Sequence, residues 1–369
     1  MNRKTRIGVV TFYRDNYGAF LQAFALQKQL IQLDYKPELI NFAFERRYTI
    51  LGVPLRLAIK KPFFFLKRIM VELVLYREHK ERNIIFKKAV SEHLIESKRC
   101  KSYKQLKECC KSYDVLLSGS DQVFNPNLHP QSLKYRMLQF VDGVKVTYAA
   151  SAGSIENIVD KNKLAAILDE FSGLSMREES LKDLLANLLP SKTVYRHIDP
   201  TLLLSVEEWR SFAKKPEYLN EPYIFYYRVL SQEQLEIEAE ELSNRLGIPV
   251  FAADGCKKFT NQIERKGYLT PLEWVGALLN ADYVVTNSFH GTAFSVNFHK
   301  KACIVLPPKD SSRIVDLLDN CNLNLLLDID SIISTDLRES VFDTADAYLS
   351  EQREQSKNYL NGFKNLLNE

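Results

Sequence analysis

Nowhere in the sequence do about 18 apolar residues run uninterrupted, the length needed to cross a bilayer. The run behind the basic residues 2–6, Ile7 to Val10, is too short for the core of a secretory signal. A cytoplasmic location is therefore the expectation. The six cysteines (Cys100, Cys109, Cys110, Cys256, Cys303, Cys321) form no CxxC pair and no Cys/His pattern, which argues against a zinc site or a disulfide framework. Neither the GxGxxG of a dinucleotide site nor the GxxxxGK of a P-loop occurs. No resident cofactor or metal is expected. Low-complexity tracts and short-period repeats are also missing. A net charge of +4 with no nucleic-acid-binding motif gives no reason to expect a nucleic-acid partner.

What is present is a soluble-type composition, 46% hydrophobic and 26% charged, over 369 residues. That length exceeds the usual span of one core, so two domains are the default. The pattern that organises the chain runs from Asp282 to Leu306. A β-branched run (Tyr283 to Thr286) breaks at Asn287-Ser288-Phe289-His290-Gly291-Thr292, resumes at helical spacing, and ends in a second apolar run from Ala302. This reads as strand, loop, helix, strand. Its loop would open at the carboxyl edge of a sheet, where helix N-termini favour anions. His290 is the candidate acid/base residue there, with a structural histidine as the plain alternative.

The same plan recurs earlier. Arg6 to Phe12 reads as a strand, Asn16-Tyr17-Gly18 as a loop, Ala19 to Leu33 as a helix and Glu38 to Phe42 as a strand. Tyr113 to Ser118 leads into Gly119-Ser120-Asp121-Gln122, Val144 to Ala149 into Ser151, and Gly173 to Met176 into Arg177-Glu178-Glu179-Ser180. In a parallel sheet these polar loops share one edge. Asp199 before Pro200 reads as a hinge or turn. Trp209 to Glu221 reads as a crossing segment, followed by a second αβ series with a capping box at Thr270-Pro271-Leu272-Glu273. A polar helix from Asp343 to Leu367 closes the chain and is expected to pack back on the first domain. The expected division is 1–210, 221–340 and 341–369.

Charge is uneven. Residues 46–111 carry 18 Lys or Arg against 6 Glu, a net of +12, among apolar residues such as Phe63, Leu66, Ile69 and Met70. Two readings stay open: helices covering the core with a solvated basic face, or a surface that meets anionic lipid headgroups or a lipid-pyrophosphate carrier at the inner face of the membrane.

Taken together, six motifs in this order resemble the polysaccharide pyruvyl transferase family: Asn16-Tyr17-Gly18-Ala19-Phe20-Leu21-Gln22; Gly119-Ser120-Asp121-Gln122-Val123-Phe124-Asn125; Tyr148-Ala149-Ala150-Ser151-Ala152-Gly153; Met176-Arg177-Glu178-Glu179-Ser180; Asp199-Pro200-Thr201-Leu202-Leu203-Leu204; and Asn287-Ser288-Phe289-His290-Gly291-Thr292. The resemblance implies two Rossmann-like domains facing a cleft, similar to GT-B glycosyltransferases. It also implies transfer of pyruvate from phosphoenolpyruvate, as a ketal, onto a sugar of a cell-surface polysaccharide or its lipid-linked repeat unit. On this reading Arg177 binds the donor anion and His290 is the acid/base residue. Asn287, Ser288, Gly291 and Thr292 line the donor. By their own chemistry Gln122 and Asn125 suit the hydroxyls of a sugar acceptor; Asp121 either binds acceptor hydroxyls, orients the histidine or caps a helix, and Asn16, Tyr17 and Gly18 either bind the acceptor or carrier or form a structural turn. In a branch of the family the histidine follows Arg-Leu, whereas Ser288-Phe289 stand here. Either another cation substitutes, with Arg228 and Arg313 as candidates, or the donor differs. The alternatives are a GT-B-like glycosyltransferase using a nucleotide sugar and a non-catalytic glycan-assembly protein.

Overall fold

The computed structural model describes residues 3–14, 16–42, 49–50, 53–54, 62–74, 76–253, 259–334 and 339–367. Part of the basic segment (46–48, 51–52, 55–61 and 75) and Cys256 lie outside the described residues.

Two parallel sheets form the frame. The first has the strand order Lys36–Leu39, Arg6–Val10, Val115–Ser118, Val144–Thr147. It continues through bridges from Val146 to Gly173 and from Ala150 to Met176 into the parallel pair Leu174–Met176 and Val194–Arg196. The second has the order Val250–Ala252, Ile224–Tyr227, Tyr283–Thr286, Lys301–Ile304. This is the two-sheet α/β architecture the motifs predict. The central strands Val115–Ser118 and Ile224–Tyr227 are buried on both faces and read as near-continuous apolar runs, as parallel sheets require.

In each sheet the chain order reverses at one place, and crevices form at such switch points. In the first sheet it lies between Arg6–Val10 and Val115–Ser118, so the loops at Asn16 and Asp121 stand side by side. In the second it lies between Ile224–Tyr227 and Tyr283–Thr286, placing the Arg228 loop beside the Asn287 loop.

The first helix, Tyr17–Gln32, is buried over most of its length, its apolar residues joined by Gln22 and Gln27, which are buried with their side chains hydrogen-bonded. Asn16 caps it by accepting from the Ala19 amide at 3.1 Å. The helix carries one continuous core from Ile7 and Val9 of the first sheet to Phe225 of the second and to Trp274 and Phe294 on the helices that cover it. Tyr17 stacks on Trp274 with ring centres 5.7 Å apart, and Phe24 lies against Trp209 at 5.8 Å. A second core lines the opposite face of the first sheet, around Leu116, Phe124 and Leu185.

Trp209 departs from expectation. It belongs to a helix, Val206–Phe212, overlapping the stretch where the sequence reading assigns a crossing segment from Trp209 and no secondary structure. Ser205 and Glu208 form a reciprocal capping box there, and the indole is fully buried against the first helix. A short strand at Val194–Arg196 is a further element that the sequence pattern does not announce. The closing helix, Asp343–Asn361, runs into a 3-10 turn at Gly362–Leu367. It reaches the first sheet through Tyr359, whose hydroxyl donates to Thr147 O at 2.9 Å, and through Tyr35, which donates to Leu360 O at 2.9 Å. Arg353 joins it to Asn297 of the second half at 2.7 Å.

Because Phe24 fills the junction of both halves, Phe24→Ala should cost about 3–5 kcal/mol. Urea unfolding should show it as a lowered midpoint.

Candidate functional site

The first sheet's loops converge because its strands keep level register: Val10 stands opposite Ser118, and Ser118 opposite Thr147. Arg177 follows the strand Leu174–Met176 directly, its amide donating to Ala150 O at 3.1 Å. Its side chain is buried and ends on the Asp199 carboxylate, Nη1 to Oδ2 at 2.6 Å. Glu178 Oε1 is 3.5 Å from Nε, and Asp121 Oδ1 is 3.9 Å from Nη2. Asp199 is wholly enclosed. It also accepts from the Thr201 amide (3.0 Å) and hydroxyl (2.8 Å), and from Ser120 Oγ at 3.4 Å.

His290 enters from the second half. Ser288 caps the helix Phe289–Asn297, its hydroxyl accepting from the Gly291 amide. This puts His290 in the first turn with its imidazole buried and its Nε2 3.8 Å from Asp199 Oδ2. That separation is too long for a hydrogen bond. The other edge of the ring lies on Gly18. A Cβ there would sit 2.7 Å from His290 Cε1 and closer still to Nδ1, so only glycine leaves room for the ring.

Electrostatics follow from this packing. Burial pushes His290 below the ordinary histidine value, and Arg177 and Arg313 reinforce it; Asp199 and Asp121 act in the opposite sense. Burial would raise Asp199, but His290, Arg177 and the two bonds from Thr201 outweigh it and hold the carboxyl below its usual range. A neutral imidazole thus faces an ionised carboxylate. Burial likewise lowers Arg313, and Arg177 adds repulsion.

The two guanidinium groups share a neighbour. Arg177 lies over the Phe289 ring at 4.8 Å and Arg313 over it at 5.4 Å, both within cation–π range. Together with Arg196, Asp199, Asp316 and Tyr348 they line a cavity of about 20 Å³, room for roughly one water molecule. Three enclosed nitrogens in this region make no hydrogen bond: Arg177 Nη2, Arg313 Nε and His290 Nε2. Buried polar atoms are ordinarily paired, so the two guanidinium nitrogens mark where a ligand's acceptors would be welcome, and His290 Nε2 where a ligand's hydroxyl could pair.

The other sequence candidates are placed as follows. Asn287 holds the neighbouring loop, accepting from the Val229 amide and donating to Leu230 O, each at 2.9 Å. Thr292 donates to Ser288 O at 3.0 Å, and a Cβ on Gly291 would run into Thr286. These residues set the position of His290. Arg228 is paired with Glu236 at 2.8 Å, which leaves Arg313 as the second cation beside Arg177. Tyr17 donates to Leu269 O at 2.9 Å. Gln122 accepts from Asn125 at 2.6 Å, and Arg136, itself buried, ties this loop down by donating to Val123 O at 2.7 Å. Asp199, read from sequence as a turn residue, stands at the centre of the group. Its only local signal is the motif Asp199-Pro200-Thr201 itself. Among the described residues no cluster of three or more His, Cys, Asp or Glu could hold a metal ion, and no helix is long and apolar enough to cross a membrane.

Two parallel Rossmann-like sheets, with a buried histidine from one half facing an arginine–aspartate pair from the other, define the class: a two-sheet α/β protein with its buried charges gathered between its halves. Residues 16–307 match the polysaccharide pyruvyl transferase family, and the chain belongs to it. No curated protein matches the chain by sequence. Among solved structures it is similar to the spinosyn forosaminyltransferase SpnP (14% identity, TM-score 0.48, covering 100% of both chains). It is also similar to a UDP-GlcNAc 2-epimerase from Neisseria meningitidis bound to UDP-GlcNAc (12%, 0.46, 98% of this chain and 96% of that one). A third is the E. coli heptosyltransferase WaaC with ADP (13%, 0.41, 84% and 90%).

A second buried imidazole, His197, lies nearby, with Nδ1 2.8 Å from Ser175 Oγ and its ring 4.6 Å from Tyr359. Burial, aided by Arg196, brings it down to about 4. The unfolded chain, titrating near 6.5, therefore takes up this proton first as pH falls. The resulting stability is complete above about pH 6.5 and is lost toward pH 4, by roughly 3 kcal/mol in all. Melting temperature should fall less steeply across that window in His197→Gln than in the wild type.

Proposed function

We propose that the protein transfers pyruvate from phosphoenolpyruvate to two hydroxyls of a sugar in a polysaccharide or its lipid-linked precursor, forming a ketal and releasing phosphate. The observation that carries this reading is that Arg177 and Arg313 line one small cavity together with Asp199, the carboxylate that His290 also faces, while Arg177 Nη2, Arg313 Nε and His290 Nε2 make no hydrogen bond. A phosphate and a carboxylate on one small molecule are the anions such a set would take. Arg313 supplies the second cation where Phe289 follows Ser288 in place of an Arg-Leu pair.

On this reading the neutral His290 Nε2 first takes the proton of an attacking hydroxyl, whose oxygen bonds to the carbon bearing phosphate. The imidazolium gives that proton to the methylene carbon, which becomes a methyl group, and His290 is neutral again. The C–O bond to phosphate then breaks as the second hydroxyl oxygen closes the ketal, and its proton leaves with the phosphate. Asp199 is a positioning residue. Its charge steadies the imidazolium and aligns Arg177, and its fixed bonds to Thr201 keep it from reorganising during reaction. Gln122 and Asn125 supply amides for sugar hydroxyls beside the crevice, and Asp121 a carboxylate.

Melting temperature measured with phosphoenolpyruvate, a nucleoside diphosphate sugar and inorganic phosphate as separate additions tests the donor. Phosphoenolpyruvate should raise it, because a ligand of the native state stabilises that state. The rise should vanish in Arg177→Ala and in Arg313→Ala and persist in His290→Gln. A rise with the nucleotide sugar alone would replace pyruvyl transfer by glycosyl transfer.

The acid limb of the kcat/KM profile should lie below about pH 6.5, since His290 titrates below the ordinary value. In Asp199→Asn it should move lower still, because the carboxylate is the leading influence that raises His290.

A further inference from the structure

We propose that the consecutive helices Pro62–Val74 and Tyr76–His93 form a docking surface for an anionic lipid bilayer. On the first, Phe63, Leu66 and Met70 are 88%, 58% and 67% exposed. With exposed Lys67 they occupy positions i, i+3, i+4 and i+7, one face of the helix. The second repeats the arrangement, with Tyr76, Lys80, Ile84 and Lys87 at i, i+4, i+8 and i+11, all exposed. Single exposed apolar side chains are ordinary on a protein surface. Stripes of them on two adjoining helices, interleaved with lysine, are not. Apolar side chains that enter the acyl boundary while lysines meet headgroup phosphates are the mark of an interfacial helix.

Charge selects the occupant. The surrounding segment 46–111 carries a net +12 while the rest of the chain is negative. A second copy docked face to face would set lysine against lysine, whereas an anionic leaflet complements the whole region.

The surface also lies close to the site. The inward face of Tyr76–His93 carries Phe86, fully buried, with its ring 5.2 Å from that of Tyr17. Tyr17 precedes Gly18, the residue on which His290 rests. Only one helix diameter, about 10 Å, therefore separates the lipid-facing stripe from the entrance of the first helix. A lipid-anchored acceptor could present its sugar here without leaving the bilayer. The docking surface itself does not depend on which donor the site uses.

The test is cosedimentation of the full chain with vesicles of phosphatidylcholine alone and of phosphatidylcholine with phosphatidylglycerol. Binding is expected to the anionic vesicles only, and should weaken in about 0.5 M salt as screening shortens to roughly 4 Å. Phe63→Ser/Leu66→Ser/Met70→Ser should cut partitioning at least about tenfold. Lys80→Glu/Lys87→Glu should reduce it by about 25-fold or more, near fivefold per lysine. All five positions are exposed, so melting temperature should not move and folding is controlled. Absent or headgroup-independent binding, or variants that bind as the wild type does, would overturn the proposal. A wild-type dimer in sedimentation velocity that the triple serine variant dissociates would assign the face to a second copy instead.

Discussion

The bond between Arg177 and Asp199 is the constraint on which the site is built. Two ions are held in a buried position, where each would be costly alone and where losing one partner commonly costs about 3–5 kcal/mol. The pair is tolerated because Asp199 also accepts two bonds from Thr201, while Arg177 is flanked by Glu178 and by the face of Phe289. Its consequences spread outward. It fixes the far end of a side chain whose near end leaves a sheet strand, it sets the potential felt by His290, and it leaves Nη2 as the guanidinium nitrogen without a hydrogen bond. An interaction that does little for net stability thus defines where charge can be received.

The fold supports this arrangement by bringing two switch points together. Each sheet alone offers a crevice at the carboxyl ends of its strands. The first helix, buried along most of its length, fills the space between them. Its capped N-terminus delivers Gly18 to the second half's histidine. Packing that would otherwise be mere core formation is in this way coupled to the placement of a titratable group.

Much of this is legible in the residues because the signals are local. The β-branched run before Asn287 and the cap at Ser288 announce strand, loop and helix in order, and Thr270 to Glu273 marks its helix start with a capping box. The helix around Trp209 escapes such a reading because Ser205 and Glu208, its capping pair, sit inside a stretch that also resembles a linker. Asp199 is harder. Its partner lies 22 positions earlier, and nothing in the dipeptide with Pro200 reveals that a guanidinium will arrive from a neighbouring strand. Arg313 and Arg228 are equivalent candidates by sequence, and only tertiary structure separates them by setting Arg228 against Glu236. Ion pairing across the sheet edge is a property of topology, and local spacing does not encode it.

The missing methyl at Gly18 sets how near the two halves can come. An imidazole from one half lies on the bare backbone of the other, with no space for even one more carbon. Contact of this kind resists closer approach and leaves separation unrestrained. A side chain of any size at position 18 would act as a wedge, holding the histidine off its seat and the carboxylate beyond it out of reach.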